Sequence, residues 1–446
     1  MDKHLISCPA LLIAAPASGQ GKTTVAAALA RLLARSGKRV RVFKCGPDFL
    51  DPYWLALASG NSVHQLDLWM TGEADCRARL AQAAQEADLL IVEGVMGLFD
   101  GEPSAADLAQ RLGLPVLAVI DAGAMAGTFG ALAFGLQHYR TGMPWAGVLA
   151  NRVASARHSV MLEKSVCPSQ WMGAVMRLAQ ISLPERHLGL TMASEVSDAL
   201  QRLDLAADAL ATTRLGQMAL DSQASGAAWA VKFEAEPSSP ACERLLEGVR
   251  IAVARDAAFC FIYEANLETL HALGAQVVFF SPLTDAALPE CDAVWLPGGY
   301  PELHLAALSA NKDFVASLAA HVAAGRPVWA ECGGMMALFD KIVTLQGESH
   351  AVWGLLPGSV HMQQRLAGLG PQQLSIGGFL LRGHTFHYSR CDTNLRPLNR
   401  SCPPASVPSA DVGEALYSQG SIRASYFHAW FASSPDATAQ LFKGQA

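Results

Sequence analysis

The sequence predicts an α/β protein of two domains, each built on a largely parallel sheet. Three observations carry that reading. In the N-terminal half, short apolar runs at 11–15, 39–43, 89–92, 115–120 and 147–150 alternate with Ala/Leu-rich stretches of helical period such as 23–35 and 74–85. Strands that alternate with helices form parallel sheets covered on both faces. A linker composition of Glu, Pro and Ser at 234–240 then interrupts the pattern. A second series follows, with strands expected at 249–254, 276–280, 293–296 and 327–330 and a helix ending near Leu273. The region from Ser375 onward reads as richer in β structure. The expected domains are residues 1–240 and 248–446.

Composition narrows the function classes. Of 446 residues, 51% are hydrophobic and 16% are charged, which excludes a disordered chain and leaves ample material for buried cores. Lys plus Arg total 33 against 39 Asp plus Glu, so a net charge of −6 argues against a nucleic-acid partner. The apolar stretch 114–136 carries Asp121 and several glycines, and it divides into a strand and a small-residue helix rather than a membrane span. The first 16 residues superficially resemble a signal peptide, but they read as a buried strand running straight into a glycine loop. The 10 Cys are scattered without a C-x-x-C pair, so neither a disulfide framework nor a zinc site is expected, and a reducing cytoplasm fits best.

The first element that carries chemistry is Ser18-Gly19-Gln20-Gly21-Lys22-Thr23-Thr24, between the first strand and an Ala-rich helix. Glycines let backbone N–H groups approach phosphate oxygens, the helix N-terminus adds positive potential, Lys22 neutralises phosphate charge, and a Thr hydroxyl can ligate Mg²⁺. The usual pattern of such loops has Gly where this chain has Pro16, so the loop is a variant. Two acidic stretches follow later strands: Lys44-Cys45-Gly46-Pro47-Asp48-Phe49-Leu50-Asp51-Pro52 and Glu93-Gly94-Val95-Met96-Gly97-Leu98-Phe99-Asp100-Gly101. Ligands of open α/β sheets sit at the carboxyl ends of strands. Thr23, Asp48 and Glu93 are therefore assigned to Mg²⁺, and Asp51 and Asp100 to the phosphate-transfer region. For the three aspartates, a turn-forming role beside Gly and Pro stays open.

The second element is Val328-Trp329-Ala330-Glu331-Cys332-Gly333-Gly334-Met335, read as strand, tight turn and helix. That geometry lifts one side chain above a sheet, and a Cys at a helix N-terminus is expected to have a lowered pKa. Gly298 and Gly299, in Leu296-Pro297-Gly298-Gly299-Tyr300-Pro301, are candidates for an oxyanion hole. His428 is the candidate base, with His384 and His387 as alternatives.

Together these motifs resemble the glutamine-dependent a,c-diamide synthases of corrinoid biosynthesis. The resemblance also takes in Asn151-Arg152-Val153, 183–190 and Gly383-His384-Thr385-Phe386-His387-Tyr388-Ser389, and so runs over nearly the whole chain. It implies a P-loop synthetase domain similar to dethiobiotin synthetase, followed by a class I glutamine amidotransferase domain. It implies a nucleotide site of Ser18, Gly19, Gly21, Lys22, Thr23, Thr24 and Asn151, with ATP as co-substrate. It also implies that Cys332 attacks glutamine with help from His428, while ATP·Mg²⁺ activates carboxylates of a cobyrinate or hydrogenobyrinate substrate. The ammonia then displaces phosphate at the c and a acetate side chains. No membrane partner is expected, and a homodimer is left open.

Two positions depart from the family. The amidotransferase acid expected two residues after His428 is Trp430, and Thr385 stands where Glu is expected. The stretch 203–241 matches no motif. Two rivals remain: a cobyric acid synthase that amidates other corrin side chains, and a partition-type or scaffold ATPase with no use for Cys332. An anionic substrate on an acidic chain calls for a local basic patch, for which Arg186, Arg365 and Arg382 are candidates.

Overall fold

The computed structural model describes residues 5–186, 189–234, 243–405 and 413–443. It contains two compact units, Met1–Ser238 and Ser239–Ala446.

In the first unit the chain runs β1 (Leu5–Ala14), α1 (Lys22–Arg35), β2 (Val40–Cys45), α2 (Asp51–Ser59), β3 (His64–Leu66), α3 (Glu73–Ala84), β4 (Leu89–Glu93), α4 (Ala105–Leu112), β5 (Val116–Asp121), α5 (Thr128–His138), β6 (Trp145–Val153), α6 (Ala156–Glu163) and β7 (Trp171–Met176). The strands form a parallel sheet in the order β3-β2-β4-β1-β5-β6-β7. Alternate residues point to opposite faces, and here each face feeds its own core. Leu90 and Val92 join one cluster with Val116, Ala118 and Ile120, while Leu89 and Ile91 join the other with Leu117 and Val119. That is why these strands read as unbroken apolar runs.

The unread stretch after residue 203 proves to be structural. After the short hairpin of β8 (Glu185–Arg186) and β9 (Gly189–Leu190), three helices follow: α7 (Ala199–Ala211), α8 (Arg214–Leu220) and α9 (Ser222–Trp229). Leu203, Ala206, Leu210 and Trp229 cover the same face as α1. β10 (Ala230–Glu234) then pairs antiparallel with the start of β1, the one exception to the parallel pattern among the described strands of this sheet. Its exposed-buried alternation is that of a half-solvated edge.

The second unit contains β11 (Arg250–Ala254), α10 (Glu264–Ala272), β12 (Gln276–Phe280), β13 (Ala293–Leu296), α11 (Leu305–Ala310), α12 (Lys312–Ala323), β14 (Val328–Glu331) and α13 (Gly333–Leu338). A β-rich stretch follows. It runs β15 (Phe339–Val343), β16 (Ser349–Ala351), β17 (Leu356–Met362), β18 (Gly368–Ile376), β19 (Phe379–His387), β20 (Ser389–Asp392), β21 (Asn399–Arg400), β22 (Ala415–Gln419), β23 (Ile422–Ser425) and β24 (His428–Ala429), before α14 (Pro435–Phe442). The main sheet has the order β12-β11-β13-β14-β23-β22-β21, parallel from β12 to β23 and antiparallel at β22 and β21. The β-rich part begins at Phe339, earlier than the expected Ser375, because β15 pairs with β16 and β17. No helix among the described residues is long and apolar enough to cross a membrane.

Candidate active sites

The first site gathers at the carboxyl ends of β1, β2 and β4. Gly19 and Gly21 take φ of 77° and 90°, the left-handed region that L side chains rarely adopt. A Cβ on Gly21 would also run into the Asn151 side-chain amide. Asn151 Nδ2 donates to Gln20 O at 2.9 Å, Arg152 donates to Gly19 O at 2.9 Å, and the Asp121 N–H donates to Gln20 Oε1 at 2.8 Å. Arg152 also pairs with Asp121 at 2.7 Å. The ends of β5 and β6 therefore hold the loop's own carbonyls, leaving its curvature to face a ligand. Ser18 is exposed and Thr24 half-buried in this turn. Lys22 is buried and donates to Met96 O at 2.6 Å and Ala17 O at 3.2 Å. Burial, together with the charge of Lys44, pushes its ammonium below the usual range.

Behind the loop lies a charge cluster whose cation, Lys44, sequence reasoning missed. The Lys44 ammonium sits 2.6 Å from Asp51, 3.2 Å from Glu93 and 3.6 Å from Asp48, with Lys44 only 2% exposed. Burial opposes charge on Lys44, but Asp51, Glu93 and Asp48 overcome it and hold the ammonium well above its usual range. Burial raises the Glu93 and Asp48 carboxyls, whereas Asp51, in hydrogen-bond contact with Lys44, is held down despite its burial. Thr23 Oγ1 donates to Glu93 Oε1 at 2.6 Å. Asp100 accepts from the Gly97 N–H at 2.9 Å, which makes it a turn former in the loop after β4. The signal for Lys44 was present: a lone Lys in an apolar strand, at the same sheet edge as the phosphate loop.

Thr23 and Glu93 are in direct contact, whereas Asp48 meets Glu93 only through Lys44. Glu93 Oε2 is a buried carboxylate oxygen with no hydrogen-bond partner among the described residues. No group of three or more His, Cys, Asp or Glu among the described residues could hold a metal by itself. Mg²⁺ usually takes one or two carboxylates and completes its shell with phosphate oxygens and water.

The second site is built on the turn between β14 and α13. Cys332 has φ 44°, a strained elbow, and its N–H donates to Ser425 O at 2.8 Å across the β14–β23 pair. Gly299 presses against Gly333, and Gly298 packs on the His428 ring, so the Pro-Gly-Gly loop touches both the elbow and the imidazole. Cys332 is 4% exposed and His428 is 1% exposed. The expected lowering of the thiol pKa by the helix is not found. Burial, with Glu302 nearby, pushes the Cys332 thiol up, and only the Gly333 N–H opposes this from a helix of six residues. Burial likewise pushes His428 well down.

The two alternative histidines have other partners. His384 stacks on His428 at 4.9 Å and meets Tyr263 OH at 2.7 Å, and burial pushes it down to about 3. His387 Nε2 lies 2.9 Å from Glu414 Oε1, which also accepts from Thr385 Oγ1 at 2.8 Å. Glu414, from another segment, thus places a carboxylate between Thr385 and His387.

Comparison with known proteins agrees with both halves. The CobQ/CobB/MinD/ParA nucleotide binding domain matches residues 11–189. The CobB/CobQ-like glutamine amidotransferase domain matches residues 250–436. A hydrogenobyrinate a,c-diamide synthase of Stutzerimonas stutzeri is 56% identical over 98% of this chain and 99% of its own length. One from Pseudomonas aeruginosa is 54% identical over 97% of each chain. A cobyrinate a,c-diamide synthase of Herminiimonas arsenicoxydans is 48% identical over 99% of this chain and 98% of its own. The chain belongs to the a,c-diamide synthase family.

As a member of the a,c-diamide synthase family, the chain has a P-loop domain followed by a glutamine amidotransferase domain, the α/β architecture expected from its sequence. Of the arginines suggested for an anionic substrate, the Arg186 side chain lies outside the described residues, and Arg365 and Arg382 belong to the second unit.

Proposed function

We propose that this chain is an ATP- and glutamine-dependent ligase that amidates the a and c acetate carboxylates of hydrogenobyrinate. What carries the reading is one chain holding both a phosphate loop with Lys22, Thr23 and Glu93 gathered around it and a strained Cys332 elbow whose neighbouring Gly298-Gly299 loop also packs on His428. Hydrogenobyrinate is preferred over cobyrinate because the relatives at 56% and 54% identity carry that name.

In the second unit the Cys332 thiol gives its proton to His428 as sulfur attacks the glutamine carboxamide. The N–H groups at Gly298 and Gly299 receive the developing oxyanion. The amide nitrogen takes the proton from His428 and leaves as ammonia as collapse forms the γ-glutamyl thioester. Water then hydrolyses the thioester to glutamate and restores the thiol. In the first unit Lys22, Gly19, Gly21 and Ser18 hold the phosphates of ATP, with Thr24 and Asn151 supporting the loop. Mg²⁺, held by Thr23, Glu93 and Asp48, would offset phosphate charge. A substrate carboxylate attacks the γ-phosphorus and ADP leaves. Asp51, through Lys44, and Asp100, through the Gly97 turn, shape this region. Ammonia then attacks the acyl phosphate and phosphate departs. A carboxylate is a poor acyl donor, so ATP must supply the leaving group.

The test is purified protein with ATP, Mg²⁺, glutamine and either hydrogenobyrinate or cobyrinate, followed by mass spectrometry. Two successive losses of the acid-to-amide mass difference are expected, faster with hydrogenobyrinate. No ATP turnover with either corrinoid would sink the proposal. Cys332→Ala should abolish glutamine use while high ammonium still drives synthesis.

A further inference from the structure

The residue two places after His428 is Trp430, whose ring packs on Tyr263 at 5.1 Å and which offers no carboxylate. A carboxylate does reach His428 from elsewhere. Glu331, the last residue of β14 and the neighbour of Cys332, places Oε2 3.8 Å from His428 Nδ1. Its other oxygen is fixed: Oε1 accepts from Trp329 Nε1 at 2.7 Å and from the Ala429 N–H at 3.3 Å. Ala429 follows His428, so one carboxylate oxygen grips the backbone beside the imidazole while the other faces Nδ1. Glu331 is 2% exposed, which keeps water from competing for either contact.

Other acids near this site are committed or lack such a contact. Glu414 Oε1 is shared by Thr385 and His387. Glu302 acts on Cys332 rather than on His428. His384 stacks on the imidazole and is kept neutral by burial, so it supplies no counter-charge.

We propose that Glu331 is the positioning residue for His428, giving a Cys332–His428–Glu331 triad whose acid comes from the residue before the nucleophile. This rests on the reading of Cys332 and His428 given above. With Nδ1 turned to Glu331, Nε2 is the nitrogen that receives the Cys332 proton, and the proton on Nδ1 stays with the imidazole throughout. Glu331 fixes tautomer and orientation and faces the imidazolium once it forms. At 3.8 Å the contact is an ion-pair distance, and catalytic hydrogen bonds commonly tighten only with substrate bound. Burial pushes the Glu331 carboxyl up to about 8 and His428 down, so either charge alone is penalised in this site.

The experiment is steady-state glutaminase kinetics of the full chain for Glu331→Gln, Glu331→Asp, Cys332→Ala and His428→Ala. Glu331→Gln keeps the acceptor for Trp329 and Ala429 but loses the charge. Its kcat should fall on the order of 100-fold or more, as expected for loss of an orienting carboxylate, with KM for glutamine near the wild-type value. General damage to the fold would move KM as well. Glu331→Asp retains the charge but draws the carboxylate back, so its kcat should lie between the two. A Gln variant as fast as wild type, or an Asp variant as slow as the Gln variant, overturns the role of Glu331. If His428→Ala or Cys332→Ala keeps glutaminase activity, the site assignment itself fails and this inference falls with it.

Discussion

The two units each bury a cluster of ionisable groups, and they treat charge in opposite ways. In the first, Lys44 stays charged among Asp48, Asp51 and Glu93, with Lys22 close by. In the second, burial drives the groups toward neutrality: Cys332 and Glu331 are pushed up, His384 and His428 down, and Glu302 up to about 7. The difference matches the ligands. A nucleotide arrives carrying several charges, and fixed charges can meet it without reorganisation. Glutamine presents a neutral carboxamide, and charge appears at that centre only when the thiol proton moves. A site kept neutral until then is protected from stray alkylation of the thiolate.

The largest effect should follow from breaking the charged cluster. Lys44→Met leaves Asp48, Asp51 and Glu93 buried without their cation, and losing one partner of a buried pair costs about 3–5 kcal/mol. Differential scanning calorimetry at neutral pH should show the first unit unfolding at a markedly lower temperature. The sign with pH is fixed. Without Lys44 the raised folded-state pKa values of Asp48 and Glu93 rise further and Asp51 loses what holds it down, so their contribution to stability is fully present below the unfolded values and fades as pH rises. The deficit should therefore shrink at pH 5. An unchanged transition at neutral pH would mean that the ammonium does not hold the cluster together.

A smaller and more local effect tests the neutral site. A Cβ on Gly298 would lie 2.5 Å from His428 Cε1 and 3.1 Å from Phe261 Cδ2. Gly298→Ala must therefore move the imidazole. Displacing a catalytic group by about 1 Å can cost on the order of 100-fold. Glutamine-driven synthesis should fall by about that much while ammonium-driven synthesis persists. Equal loss of both would mean that the loop serves the first site too.

Much of this was legible in the sequence because local patterns carried it. Gln276–Phe280 and Ala293–Leu296 were read to the residue, since apolar runs of strand length bounded by turn residues leave little choice. The phosphate loop was legible because glycines with positive φ leave a mark, and the Cys332 turn because Gly333 and Gly334 leave room for the backbone packed against them. What was not legible came from long-range pairing. The antiparallel partner of β1 lies more than 200 residues downstream, and nothing in 230–234 announces it. Lys44 stood in a quoted motif, yet its role depends on Glu93 arriving from another strand. Glu414 meets Thr385 across the fold, and Glu331 reaches His428 only because β14 pairs with β23 about 90 residues later.

The smallest predicted effect separates the two clusters most cleanly, because here removing a charge should help. Glu331 has its folded-state pKa raised by burial to about 8 from an ordinary 4.5. A raised pKa means that the folded state binds the proton more tightly than the unfolded state. The stabilising contribution is complete below about pH 4.5 and is lost as pH rises through about 8. Glutamine does not titrate and keeps the acceptor for Trp329 and Ala429. Glu331→Gln should thus leave the melting temperature of the second unit unchanged near pH 5 and raise it at pH 9. The gain would come at the site where activity is lost, a common trade between stability and function. If the variant instead melts lower at pH 9, the ionised Glu331 is stabilised by pairing with His428 rather than penalised by burial, and the neutral description of the second cluster must be abandoned.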